Sequence, residues 1–181
     1  MHNISSAPDS LLQLLEIRAL DVDHLSTARY VVSSAFLRGA KGSYSEAEMG
    51  AFTEFVRSPH YSDLLLGNRA YGAWVGSEMV GVAAWSSGEE NSPTARVLAI
   101  FVHPLFASQG IGTRLGEYLA DEAAAAGFRA LETNATLNAV GFFERLDFLQ
   151  VRQSVWSMPS GRELAIAIMR RAPTGRADIM H

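Results

Sequence analysis

The chain has 181 residues, of which 48% are hydrophobic and 19% charged, enough for one folded domain and too apolar for a disordered chain. It has no cysteine, which excludes disulfides, thiolate metal sites and a cysteine nucleophile. A formal charge of −4 argues against a general polyanion binder, and no apolar run approaches the ~20 residues of a membrane helix.

Met1 to Ser10 is polar, contains Pro8 and lacks the layout of a secretion signal. Residues 1–14 are expected to be a flexible segment. Glu16 to Leu20 reads as a first strand. Asp21 or Asp23 caps a helix running to about Arg38, with Leu25, Ala28, Val32 and Phe36 at helical spacing. Ser45 followed by Glu48 is a capping-box pattern for a second helix, which Ser58-Pro59 ends. Leu64 to Leu66 is expected to form only a short turn.

After Asn68 the pattern changes to strands. Ala70 to Val75 and Met79 to Trp85 flank Gly76-Ser77-Glu78 and read as a hairpin. Ser86 to Thr94 is a polar loop. Val97 to Val102 is continuously apolar, as expected of a strand covered on both faces. A helix follows from Ile111 to Ala126, with Ile111, Leu115, Leu119 and Ala123 as its buried stripe and Gly127 as its stop. Phe128 to Asn134 is a strand, Asn138 to Leu146 a short helix, and Leu149 to Met158 and Glu163 to Arg170 the last two strands. Residues 172–181 show no periodicity and are expected to be a flexible tail. The whole is an α/β (α+β) single domain with a mixed sheet.

Two stretches carry chemistry. In the first, a buried strand ends at Val102-His103-Pro104, and Gln109-Gly110-Ile111-Gly112-Thr113-Arg114 opens a helix. Glycines let the backbone approach a ligand, and the first amides of a helix lack internal partners and attract anions. Alone, Gly-x-Gly is a weak signal, and neither a Walker loop nor a dinucleotide fingerprint is present. The second stretch is Leu137-Asn138-Ala139-Val140-Gly141-Phe142-Phe143-Glu144-Arg145-Leu146-Asp147-Phe148.

With both motifs in this order the chain resembles the GNAT acetyltransferase superfamily over about Glu16 to Arg170. The resemblance implies a mixed, mostly antiparallel sheet of six to seven strands flanked by helices, with a splay between the fourth and fifth strands. It implies a GNAT-like domain at 15–171 that takes acetyl-CoA as donor. Phe101 and Val102 would pair with the pantetheine arm. The amides of Gln109, Gly110, Ile111, Gly112, Thr113 and Arg114 would hold the pyrophosphate. Asn138 and Phe142 would contact the CoA arm. Three departures stand out: Ala107 and Ser108 replace the family's Arg or Gln and Gly, Asp147 replaces a glycine, and Phe143 stands at the usual general-acid tyrosine position.

The implied reaction is direct attack by a primary amine of a small molecule or peptide on acetyl-CoA in a ternary complex. The alternative is a CoA-binding module with weak or lost catalysis. Glu132, beside the splay, and Glu89, in the loop before the central strand, are the candidate bases, each with a plain surface role as the competing reading. Tyr30, Tyr44, Tyr61 and Tyr118 read as core or rim residues. His103 reads as structural, and no histidine and acid spacing suits a metal. Neither a nucleic-acid nor a membrane partner is expected. The location is expected to be cytoplasmic, and a homodimer through the edge of the final strand, Glu163 to Arg170, is a further expectation from relatives.

Overall fold

The computed structural model describes residues 7–172, with side chains from residue 11 onward. Its strands are β1 (Leu15–Ala19), β2 (Arg69–Val75), β3 (Glu78–Ser86), β4 (Thr94–Val102), β5 (Ala130–Thr136), β6 (Leu149–Ser157) and β7 (Glu163–Arg171). They form one seven-stranded sheet in the order β1-β2-β3-β4-β5-β7-β6. Among the described residues only the central β4–β5 pair of strands is parallel.

Helices α2 (Leu25–Ala40), α3 (Glu46–Arg57) and α4 (Pro59–Leu66) cover one face of the sheet, and α5 (Ile111–Ala125) and α6 (Val140–Arg145) cover the other. Each helix is placed by a local signal. Ser45 and Glu48 exchange side-chain and backbone hydrogen bonds at 3.1 Å, the full capping box at the head of α3. Pro59 sits at the start of α4, where its missing N–H costs nothing. That helix is longer than the expected turn because Tyr61 and Leu65 bury themselves in the core. Ile111, Leu115, Leu119 and Ala123 are all buried, each large apolar side chain contributing about 1.5–3 kcal/mol of burial. After α5, Gly127 is left-handed at φ 94° and the Phe128 amide returns to the Ala123 carbonyl. That closure consumes Phe128, so β5 starts two residues later than its apolar run suggests.

Two expectations are corrected. The segment read as flexible to residue 14 contains α1 (Ala7–Leu14). Leu11 and Leu12 pack against the α5-side core, an anchor that a five-residue apolar run does not advertise. The final strand is not an edge: β7 lies between β5 and β6, so the free edges belong to β1 and β6. Residues 173–181 lie outside the described residues.

The central strand has one extra residue. Ala84 pairs with Ala99 and Trp85 with Val97, leaving Leu98 as a bulge. A bulge reverses side-chain alternation. Ala95 and Val97 face α5, whereas Leu98, Ala99 and Phe101 face α2 and α3.

Candidate active site

The bulge coincides with the end of the β4–β5 pairing. The parallel register runs from Thr94↔Ala130 to Val97↔Thr133 and stops there. Beyond it β4 pairs with β3 alone, while β5 continues along β7. Every second peptide group of β4 past Val97 therefore faces the gap without a strand partner.

A cleft of about 490 Å³ opens along this gap between the end of α2 and the head of α5. Its floor is Phe101 and Val102, one end is the loop from Phe106 to Thr113, and its walls include Asn138 and Phe142. The loop is built for backbone contact. Gly110 caps α5 at φ 85° without a side chain, and the first intrahelical bond is Arg114 N–H to the Gly110 carbonyl at 3.0 Å. The amides of Ile111, Gly112 and Thr113 precede it and lie at the positive end of the helix dipole. Gly112 is bare because a Cβ there would meet the Phe142 ring at 2.7 Å. The buried Asn138 Oδ1 has no hydrogen-bond partner, an orphan acceptor beside the cleft.

A second cavity of about 200 Å³ lies on the α3 and α4 side, walled by Phe52, Phe55, Tyr61, Leu64 and Trp156. Phe101 and Thr136 line both cavities. The two spaces thus meet where β4 and β5 part.

Residues 40–157 match the family model described as an acetyltransferase (GNAT) domain. The chain belongs to the GNAT acetyltransferase family. A stretch of 86 residues is 38% identical to the tRNA(Met) cytidine acetyltransferase TmcA of Nitrosococcus halophilus, covering 46% of this chain but 12% of that protein. Among solved structures, a GCN5-related N-acetyltransferase from Rhodopseudomonas palustris superposes with a TM-score of 0.77 at 21% identity, over 95% of this chain and 99% of that one. The PaiA N-acetyltransferase of Thermoplasma acidophilum, solved in complex with coenzyme A, gives 0.67 at 18% identity over 87% and 98%. These likenesses show the fold.

The GNAT donor, acetyl-CoA, fits the cleft on three counts: free amides at a helix head, an unpaired strand edge and an orphan acceptor at Asn138. Of the residues expected to hold it, Phe101, Val102, Gly110, Ile111, Gly112, Thr113, Asn138 and Phe142 line the cleft; Gln109 and Arg114 do not. The α2 wall was absent from the sequence reading. Arg38 and Gly39 lie there, and Arg145 closes the far side. Gly39 makes room for Asn138, whose Nδ2 would stand 2.7 Å from a Cβ at that position. No local motif marks Gly39, because it looks like an ordinary helix end. The Arg38 guanidinium reaches the Pro104 carbonyl at 3.4 Å, which holds a cation beside the phosphate loop.

The other candidates separate. Glu132 sits on β5 opposite Arg96 and pairs with it at 3.1 Å. Glu89 is exposed and joins Glu132, Arg96 and Arg170 around a pocket of about 300 Å³ at the paired end of the two strands. Arg96 links that pocket to the aromatic cavity, since it lines both. Phe143 is buried in the α5-side core, ring to ring with Phe142 and Phe148 at 5.2 Å, and lines neither the cleft nor the aromatic cavity. His103 accepts the Leu105 amide on Nδ1 at 3.1 Å and shapes the loop. Trp74 and Trp85 are core residues. Among the described residues there is no cluster of three or more His, Asp or Glu suited to a metal, and no helix is long and apolar enough to cross a membrane.

Proposed function

We propose that this protein is a cytoplasmic enzyme that transfers the acetyl group of acetyl-CoA to a primary amine of a small molecule or peptide, by direct attack in a ternary complex. The observation that carries this reading is the pair of cavities meeting at Phe101 and Thr136. One holds the donor and the other the acceptor, with the parted strands between them.

Bound acetyl-CoA supplies an activated acyl thioester. The amides of Ile111, Gly112 and Thr113 hold its diphosphate, with Arg38 and Arg145 as flanking cations. The Asn138 Oδ1 accepts an amide N–H of the pantetheine arm, and the unpaired edge of β4 aligns the rest. A β4 amide polarises the carbonyl, a contact that no side-chain change removes. Glu132 is the base, acting through the Arg96 end of the aromatic cavity; Glu89 is the more distant alternative. Phe143 has no proton to give. A thiol with a pKa of about 8.5 leaves without an acid of its own.

The test is thiol release from acetyl-CoA over a panel of amines, beside calorimetric titration with CoA. Amine-dependent release supports the reading. A second reading, CoA binding without turnover, draws on the missing hydroxyl at Phe143, and tight CoA binding with no release for any amine would establish it instead.

A further inference from the structure

The aromatic cavity has a definite chemistry. Phe52, Phe55, Tyr61, Leu64, Phe101 and Trp156 wall it. Trp156 meets Phe55 edge-to-face at 4.8 Å, and Phe55 meets Tyr61 the same way at 5.5 Å, so the wall is a continuous aromatic surface. Its volume of about 200 Å³ compares with the roughly 150 Å³ of an apolar cavity that holds benzene. One ring on a short arm fills it; a fused bicycle or a peptide chain does not. The buried Tyr61 hydroxyl has no hydrogen-bond partner among the described residues, which leaves a polar atom beside the slot that a single ring hydroxyl, as in tyramine, would satisfy. Arg96 is the charged residue of the lining, and no carboxylate lines it. A second positive charge on the acceptor would meet a guanidinium there.

Resting on the acetyltransferase reading above, we infer that the acceptor is a primary alkylamine bearing a single apolar ring or branched alkyl group and no second cation. The ring enters the slot and the amine stays at the mouth beside Phe101 and Thr136. The neutral nitrogen gives its lone pair to the thioester carbonyl carbon. A C–N bond forms as the C–S bond breaks, sulfur leaves with the bonding pair as a thiolate that solvent protonates, and the proton shed by nitrogen passes through water to Glu132. The products are an N-acetyl amine and free CoA.

The experiment compares phenethylamine, tyramine and isoamylamine with putrescine, spermidine, a lysyl peptide and cytidine in the thiol-release assay. Phenethylamine is expected to exceed putrescine in kcat/KM by about 100-fold or more, since even one methylene in an apolar pocket is worth about 10–200-fold. Leu64→Trp, which fills the slot, should lower kcat/KM for phenethylamine at least about tenfold. CoA titration checks that the variant is folded. Preference for a polyamine, the peptide or cytidine overturns the inference, as does an equal loss for every amine in Leu64→Trp. If no amine is turned over, phenethylamine is titrated into the CoA complex by calorimetry. Saturable binding there keeps the slot and rejects the transfer reading, and no binding rejects the slot.

Discussion

The Tyr44 hydroxyl accepts the Leu137 amide at 2.8 Å and donates to the Ala165 carbonyl at 2.5 Å. One side chain thus ties β7 to the turn that carries Asn138, far away in sequence. Tyr44→Phe leaves both backbone groups unpaired in a half-buried setting, a cost of about 1–3 kcal/mol. The variant should unfold at a lower urea midpoint and bind CoA several-fold more weakly, because Asn138 loses its support. Unchanged CoA affinity in a destabilised variant would show that the turn holds its shape without the clamp.

Burial raises the pKa of Tyr44, Tyr61, Tyr71 and Tyr118 above the ordinary tyrosine value, and the Glu122 carboxylate adds to it at Tyr71 and Tyr118. A folded pKa above the unfolded one stabilises the protein below the unfolded value, near 10, and that contribution is lost as pH rises through the folded value. Stability should therefore decline above about pH 10. Tyrosinate absorbance for the buried rings should appear together with loss of the circular dichroism signal. Full ionisation of all five tyrosines in a chain that keeps its fold would contradict this.

The Glu132 carboxylate faces Arg96 one rung before the last pair, Val97 and Thr133, where the strands part. If it takes the amine proton, Glu132→Gln should lower kcat by about 10²–10⁴-fold while CoA affinity stays the same. The ion pair is partly exposed, so little stability should be lost with it. A kcat within about threefold of wild type would move the role to Glu89 or to solvent.

Helix α5, its stop at Gly127 and the capping box at Ser45 were legible because each is a local pattern with a local cause. The glycine turn at Gly110 that opens α5 is legible for the same reason. The aromatic cavity was not, because Phe52, Tyr61 and Trp156 come from three elements and look like core residues one at a time. Arg38 and Gly39 read in sequence only as a helix end, because the close crossing of α2 over Asn138 is what gives them a role. Adjacency in sequence does not say that Phe143 turns into the core while Phe142 turns to the cleft. The β7 edge failed because strand order depends on long-range pairing, here the insertion of β7 between β5 and β6.

Ser108 at φ 62° and Asp147 at φ 65° occupy left-handed backbone, a region that favours glycine. At Asp147 the Phe148 amide still returns to the Phe143 carbonyl at 3.0 Å. The side chain is tolerated because aspartate is among the residues that visit this region. Asp147→Gly should raise stability by about 0.5–1 kcal/mol, and Asp147→Val should lower it by about 1–2 kcal/mol. Equilibrium unfolding of the pair checks the sign, and a stabilised valine variant would mean that this turn is not left-handed in solution.

Gly112 serves two contacts at once, its amide at the head of α5 and its bare Cα against Phe142. A Cβ would lie 2.7 Å from Phe142 Cε2 and 3.5 Å from Val102 Cγ2, so the crowding comes from within the protein as well as from the ligand. Gly112→Ala should therefore cost about 1–3 kcal/mol of stability by overpacking, and CoA affinity should fall because the ring is driven toward the cleft. Removing the ring separates the two effects. In the double variant Gly112→Ala with Phe142→Ala the clash disappears, so the loss should be smaller than the sum of the single losses. Stabilities and CoA dissociation constants of the four proteins in the cycle measure this. Strict additivity would show that Phe142 moves aside freely and that Gly112 is kept for its backbone alone.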